Sequence, residues 1–478
     1  MLFNSIGFGL FFSTVFVMYW CIFNKSLKQQ NLFLLIVSLF FYSCWDWRFL
    51  FLLLSSISLD FFLGNQIYIA NNPTKKKILL WLSIIVNLGA LGFFKYYNFF
   101  IDNFTDFLSL FGFKGNNWAL KIILPIGISF YTFHGLSYVI DIYKNKIKPI
   151  KSIIDYSLFV SFFPLLVAGP IERATHLLPQ IQKKRNFSSS NTISGFRQIL
   201  WGLVKKVVIA DNCAEYVNML FDDPSSFSGS SLVMGTILFS FQIYGDFSGY
   251  SDMALGTARV LGINLLQNFS YPYFSRDIAE FWRRWHISLT SWFRDYVYIP
   301  LGGSRGSKFE QVRNVFLIFM LSGFWHGANW TFIFYGFINF LYFLPLLLLH
   351  RNRSHIKIVS EGDFKSSSKV FFEIVLTFGM VSFARIFFRS SSVEDAFFYI
   401  SKIFTKSLFS FPEVFPKTVL AYIFLFICIE WCGRNNNFAI EKFGLGWSRF
   451  VRILFYYVLS FLVLYYSGKE FQFLYFQF

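Results

Sequence analysis

The sequence predicts an all-α polytopic membrane protein, on three observations. Only 14% of its 478 residues are charged, against about 25% in a soluble domain. Apolar residues make up 55% of the chain and gather in long runs. Phe alone occurs 70 times, which suits helices facing lipid better than one enclosed core.

The runs place the elements. They lie at 6–23, 32–44, 49–70, 78–94, 122–143, 231–244, 315–324, 330–349, 370–388, 419–432 and 453–466. Crossing the hydrocarbon takes about 20 apolar helical residues, so about ten to thirteen transmembrane and re-entrant segments are expected. The whole chain, 1–478, reads as one membrane domain. The first run has no basic residue ahead of it and reads as a retained span, not a cleaved signal.

Net charge is +17. The basic residues sit mostly between spans, where they report orientation, so nucleic acid is not an expected partner. Lys25 and Lys28 follow the first run, Lys75–Lys77 the third, and Lys144–Lys151 a later one. If these face the cytoplasm, the N-terminus lies outside and 97–117 stays at the outer surface. Basic residues at 173–185 follow soon after, so 153–170 is expected to be re-entrant, ending at Gly169-Pro170. Cys21, Cys44, Cys213, Cys428 and Cys432 form no CxxC pair, and no metal set is expected.

Segment 269–313 is the least membrane-like. Arg276, Arg283, Arg284, Arg294, Arg305, Lys308 and Arg313 alternate there with Trp282, Trp285, Trp292, Tyr296 and Tyr298. It is expected to be an amphipathic helix at the cytoplasmic interface. An ordinary positive-inside loop with aromatic anchors fits the charges equally well. Segment 314–349 then forms a helical hairpin turning near Gly327. His326 lies thirteen residues beyond Arg313, which is about 20 Å of helix.

Six histidines are candidates for chemistry. His350 and His355 sit in a basic loop and read as solvated, and His176 lies in another cytoplasmic stretch. His134 lies in a span, where a backbone hydrogen bond accounts for it. His326 sits in Ser322-Gly323-Phe324-Trp325-His326-Gly327-Ala328-Asn329-Trp330. An ionisable group at that depth usually faces a cavity or a partner. Its small neighbours leave room for a narrow substrate, and a neutral imidazole can take a proton from a hydroxyl near pH 7. His286, in Trp285-His286-Ile287-Ser288, is the second candidate; a hydrogen-bonded interfacial histidine is the alternative. A third cluster runs from Tyr244 to Asp252 and includes Asp246 and Tyr250. It reads either as the lining of a polar cavity or as a helix break. The chain has no GxSxG elbow, HExxH helix or Walker A loop, and no His followed five residues later by Asp.

Several blocks together resemble the membrane-bound O-acyltransferase family, in particular its bacterial branch typified by the membrane subunit of alginate O-acetyltransferase. They are Leu124-Pro125-Ile126-Gly127-Ile128-Ser129-Phe130-Tyr131-Thr132-Phe133, Phe163-Pro164 through Ala168-Gly169-Pro170-Ile171, and Asp246 through Ala254. Further blocks are 281–286 with Arg294-Asp295-Tyr296 and 299–303, Trp325 through Trp330, and Tyr475-Phe476-Gln477-Phe478.

The resemblance implies a ring of tilted helices around a central tunnel, in a multi-pass protein of the bacterial inner membrane. It implies an O-acyltransferase, specifically an acetyltransferase. His326 falls on the family's essential histidine and His286 on its second characteristic polar position. No cofactor is implied beyond a co-substrate thioester, acetyl-CoA or similar, whose phosphates the basic segment could attract. Arg283, Arg284, Arg294, Asp246, Tyr250, Asp252, Trp325 and Asn329 are the expected substrate-path residues. The implied partners are an extracytoplasmic protein with a serine-hydrolase-like fold and a glycan acceptor, alginate-like or peptidoglycan. D-alanyl transfer from a carrier protein to teichoic acid is the alternative chemistry. A transporter or scaffold without chemistry is the alternative class.

Overall fold

A computed structural model describes residues 2–112, 119–167, 169–356, 368–468 and 473–474. Ala168, Lys357, part of 97–117 and the closing Tyr475–Phe478 block therefore lie outside the described residues. Among the described residues every regular element is helical. Five helices are long and apolar enough to cross a membrane: Arg48–Ile69, Pro73–Ser109, Trp330–Leu348, Ser368–Arg389 and Arg449–Tyr466. Ile6–Cys21 is apolar but shorter.

The helices fall into two compact units. The first comprises Met1–Thr192 with Thr257–Leu266. Buried polar pairs hold it together, since backbone and side-chain groups away from water must find partners inside the protein. Asp60 is fully buried and accepts from Ser83 Oγ at 2.7 Å and Asn87 Nδ2 at 2.9 Å. Asn31 donates to Asp155 at 2.8 Å and to the carbonyl of Ile181 at 3.0 Å, while Arg185 donates to Tyr19 at 2.6 Å. The stretch 153–170, expected to run on to Gly169-Pro170, is broken earlier. Ile153–Ser161 ends at Phe162, and Phe163–Leu166 restarts with Pro164 in its first turn. Ser38 Oγ accepts from the Phe163 N–H at 3.1 Å across that break. Residues 97–109 continue the preceding helix through a wide turn at Gly92–Tyr96 rather than leaving it.

His134 and His176 belong to this unit, and both are structural. His134 is fully buried and accepts from the Glu172 N–H at 3.0 Å. His176 pairs through Nδ1 with Glu172 at 2.8 Å, and this hydrogen bond raises its pKa above the usual 6.5. It is not simply solvated.

The second unit comprises Ile193–Gly256 with Gln267–Phe478. Its long element is Gly229–Val260, of 32 residues. The Tyr244–Asp252 cluster lies inside this helix, so the alternative reading of it as a helix break does not hold. Gly245 and Gly249 supply a GxxxG spacing, and small residues so placed let helices approach closely. A Cβ on Gly249 would lie 2.7 Å from the carbonyl oxygen of Gly202.

Segment 314–349 is a hairpin of Lys308–His326 and Trp330–Leu348. Its first helix starts five residues before Arg313 because Ser307 and Glu310 form a reciprocal capping box. The arms touch at Gly323 and Gly336, where a Cβ on Gly323 would lie 3.1 Å from Gly336 Cα and would collide with the carbonyl oxygen of Phe332.

Gly323→Val should force the arms apart and lower thermal stability in detergent by about 1–3 kcal/mol or more. Gly379→Ala is the control, because nothing lies within 4 Å of a Cβ there. An unchanged melting curve for Gly323→Val would refute the close-packed hairpin.

Candidate active site

His326 is the last residue of Lys308–His326. The helix stops because Gly327 is extended, and Phe332 packs where a Gly327 side chain would stand. Asn329 caps the next helix, its Oδ1 accepting from Thr331 N at 3.0 Å while its Nδ2 donates to the Ser391 carbonyl at 2.9 Å. Asn329 thus shapes the break beside His326 rather than lining a path. His326 itself is buried, with ring centroids 5.2 Å from Phe388 and 6.1 Å from Tyr335.

His286 is brought close to it. Residues 269–313 do not form the single amphipathic helix expected at a membrane surface. They fold as short pieces, Ile278–Arg284, Ile287–Phe293 and a wide turn at Arg294–Tyr298, and most side chains up to Phe293 are buried. Burial is possible because Glu280, fully enclosed, absorbs two of the arginines. Arg276 Nε lies 3.0 Å from it and Arg284 Nη2 2.7 Å. Arg284 is therefore a buried structural ion pair.

Between the first two pieces His286 adopts a left-handed backbone, with φ +46°. Two backbone hydrogen bonds fix this corner, Ser270 N to Arg284 O at 3.0 Å and Ile287 N to Asn268 O at 2.9 Å. The His286 ring then meets Trp325 edge-on, centroids 5.6 Å apart, and Trp325 meets His326 at 5.1 Å. The two imidazoles and the indole form one cluster.

Next to the cluster is a cavity of about 590 Å³, within the usual range for small-ligand sites. Val315, Ile318, Phe319 and Ser322 line one wall. They fall at helical spacing, and His326 is one turn further along that face, about 6 Å beyond Ser322. Ile287, Thr290, Ser291 and Phe293 form the opposite wall, directly after His286. Arg283, Arg294 and Arg353 add positive charge. Arg283 is tethered to the carbonyls of Asn352 at 2.8 Å and His355 at 2.7 Å, and Arg294 to Asp295 at 2.8 Å. His355 is half-buried here, contrary to the solvated loop position expected; His350 is exposed.

The model of the membrane-bound O-acyltransferase family matches residues 136–383, just over half the chain and both histidines. A peptidoglycan O-acetyltransferase of Helicobacter pylori is 33% identical, with 95% of this chain and 92% of the relative covered. The chain belongs to the membrane-bound O-acyltransferase family. It is an O-acyltransferase and a multi-pass membrane protein. A probable alginate O-acetylase of Pseudomonas aeruginosa is 40% identical, covering 70% of this chain and 64% of its own length. A teichoic acid D-alanyltransferase of Bacillus subtilis is 31% identical over 45% of this chain and 57% of the relative.

Within this O-acyltransferase the remaining expected path residues stand apart from the cavity lining. Asp246 accepts from Lys206 Nζ at 2.6 Å and from the Leu474 N–H at 2.8 Å. Asp252 pairs with Lys205 at 3.0 Å and accepts from Gln198 at 2.9 Å. Tyr250 packs on Phe473, with centroids 4.9 Å apart. Lys205 also reaches Glu430 at 3.2 Å, and Lys206 reaches Asp211 at 2.8 Å. A wide turn at Val204–Ala210 turns both adjacent lysines inward, where both are buried. Sequence reasoning missed this lysine pair, along with Asn268 and Arg385. Arg385, fully buried, stacks over Trp285 at 4.4 Å and bonds the Tyr273 hydroxyl. Charges inside the apolar stretches around 199–210 and 370–388 were the available signal.

Lys206→Met should cost about 3–5 kcal/mol, because two buried carboxylates lose their counter-ion. Thermal unfolding in detergent reads this against Lys308→Met, an exposed control. Equal melting of the two variants would show that the pair is not a structural tie.

Proposed function

We propose that this enzyme takes an acetyl group from a cytoplasmic thioester, acetyl-CoA, and delivers it across the bacterial inner membrane for O-acetylation of an extracytoplasmic polysaccharide. The observation that carries this reading is the placement of His326. It stands one helical turn beyond the wall of an arginine-bearing cavity, with a second imidazole beside it. The similarity to a peptidoglycan O-acetyltransferase over nearly the full chain supports acetyl over D-alanyl transfer, since the D-alanyl relative matches under half of it.

In this reading the donor's phosphates rest against Arg283, Arg294 and Arg353, and its acyl arm follows the apolar wall toward His326. His326 accepts the proton of the acceptor hydroxyl as its oxygen attacks the thioester carbonyl. A C–O bond forms and the C–S bond breaks. The sulfur leaves as a thiol, taking that proton from the His326 imidazolium, directly or by way of the His286 ring. The products are an ester and a free thiol, and the protein supplies position and proton transfer only. The acceptor hydroxyl comes from the glycan or from an extracytoplasmic partner with a serine-hydrolase-like fold that completes the transfer.

His326→Ala should lower polysaccharide O-acetylation by at least about 100-fold, the usual worth of a general base, with membrane insertion unchanged. Mass analysis of surface glycans reads the loss and identifies the acceptor. Acetylation at the normal level in that variant would end the catalytic reading. Arg294→Gln combined with Arg353→Gln should raise the donor KM while kcat holds, as expected when binding alone is weakened. Membranes charged with labelled acetyl-CoA or with a D-alanyl carrier protein separate the two chemistries by which one yields labelled product.

A further inference from the structure

Asn268 stands directly behind His286 and grips it twice. Its backbone carbonyl accepts from Ile287 N at 2.9 Å, fixing the left-handed corner. Its side-chain Oδ1 lies 3.1 Å from His286 Nδ1 and accepts from Ser288 Oγ at 2.9 Å and Ser288 N at 3.4 Å. Asn268, His286 and Ser288 are all buried.

The orientation of the amide follows from its partners. A backbone N–H can only donate, so the atom facing Ser288 N is the carbonyl oxygen and not the NH2. The other end of the amide agrees. Nδ2 lies 3.3 Å from Ser251 Oγ, in a small polar pocket also lined by Ser248 and Asp252. The Ser288 N–H contact therefore gives the amide one preferred setting.

That setting decides the proton on His286. An amide oxygen offers no hydrogen, so Nδ1 must donate to it. The neutral ring then carries its proton on Nδ1 and its lone pair on Nε2. We propose that Asn268 is the positioning residue of the site, holding His286 as the Nδ1–H tautomer so that Nε2 is presented as the proton-accepting atom. Fixing a histidine through its second nitrogen is how supporting groups set ring orientation elsewhere. The inference rests on the proposed role of the two histidines in acyl transfer.

The test uses the full-length enzyme in detergent or nanodiscs with acetyl-CoA as donor. Solid-state 15N spectra of histidine-labelled protein, assigned by loss of the His286 signals in His286→Gln, should show a protonated Nδ1 and a bare Nε2. Asn268→Leu should give mixed tautomers and a kcat about ten- to a hundred-fold lower, with the donor KM within about twofold. Asn268→Asp keeps an acceptor at the same place and should restore the Nδ1–H signal, which also guards against a folding defect in the leucine variant. In the background of His286→Gln, Asn268→Leu should cost nothing further, because residues acting as one unit are not additive. A protonated Nε2 in the wild type, or an additive loss in the double variant, would overturn the proposal. The spectra report on Asn268 even if His326→Ala keeps full activity, so failure of the acyl-transfer reading is distinguishable from failure of this one.

Discussion

Two adjacent lysines buried among four carboxylates set the frame within which the rest of the second unit is arranged. Lys205 and Lys206 follow one another in the chain, and a regular helix would point them about 100° apart. The wide turn at Val204–Ala210 lets both face inward. Lys205 joins Asp252 and Glu430, and Lys206 joins Asp211 and Asp246. Three stretches of chain are therefore tied together by charge, and Leu474 adds a fourth through its N–H to Asp246. In hydrocarbon such groups have no water to fall back on, so the pairing fixes the relative placement of these helices more sharply than apolar packing alone. It also fixes helix Gly229–Val260, whose Ser251 holds the amide that supports His286.

The candidate active site lies where regular structure fails twice. His326 ends a helix, and His286 occupies a left-handed corner between two short ones. Each break has its own local support. Asn329 caps the helix after the first, and the backbone bonds of Asn268 and Ser270 bracket the second. Trp325 fills the space between the rings. A mid-helix histidine would have its ring direction set by the helix, whereas a residue at a break can be aimed separately. The close contact of Gly323 with Gly336 brings the second arm of the hairpin near enough for Tyr335 to reach His326.

Much of this was legible in the sequence, and the gaps have physical causes. Long apolar runs and scarce charge identified a helical membrane protein, because the hydrocarbon leaves few other options. Pro164, just past the break that follows Ser161, was a signal the sequence reading did not use. The small residues around His326 marked the hairpin turn. Segment 269–313 was misread because its arginines were counted as exposed charge. Glu280 stands at the i+4 position from Arg276 and four residues before Arg284, so two of them are neutralised on the same helical face. The capping box at Ser307 and Glu310 was visible and would have placed the helix start correctly. Asn268 carried no local signal, since its importance comes from a contact with a residue eighteen positions away.

The same accounting separates the groups that build the protein from those open to a substrate. Both oxygens of Asp246 and both of Asp252 already have partners within 3.0 Å. To bind anything else they would have to abandon a buried lysine, which is costly. Arg284 is committed to Glu280 in the same way. The cavity arginines differ. Arg283 leans on neutral carbonyls, Arg294 is itself exposed and pairs with half-buried Asp295, and Arg353 has no carboxylate within salt-bridge distance among the described residues. A cation held by neutral oxygens keeps its charge available to an incoming anion, while the walls are mainly apolar, with only the small hydroxyls of Thr290, Ser291 and Ser322 among their aliphatic and aromatic side chains. The cavity is thus charged at one set of side chains and greasy along its wall. That asymmetry suits the donor proposed above, with its anionic head and small, uncharged acyl end.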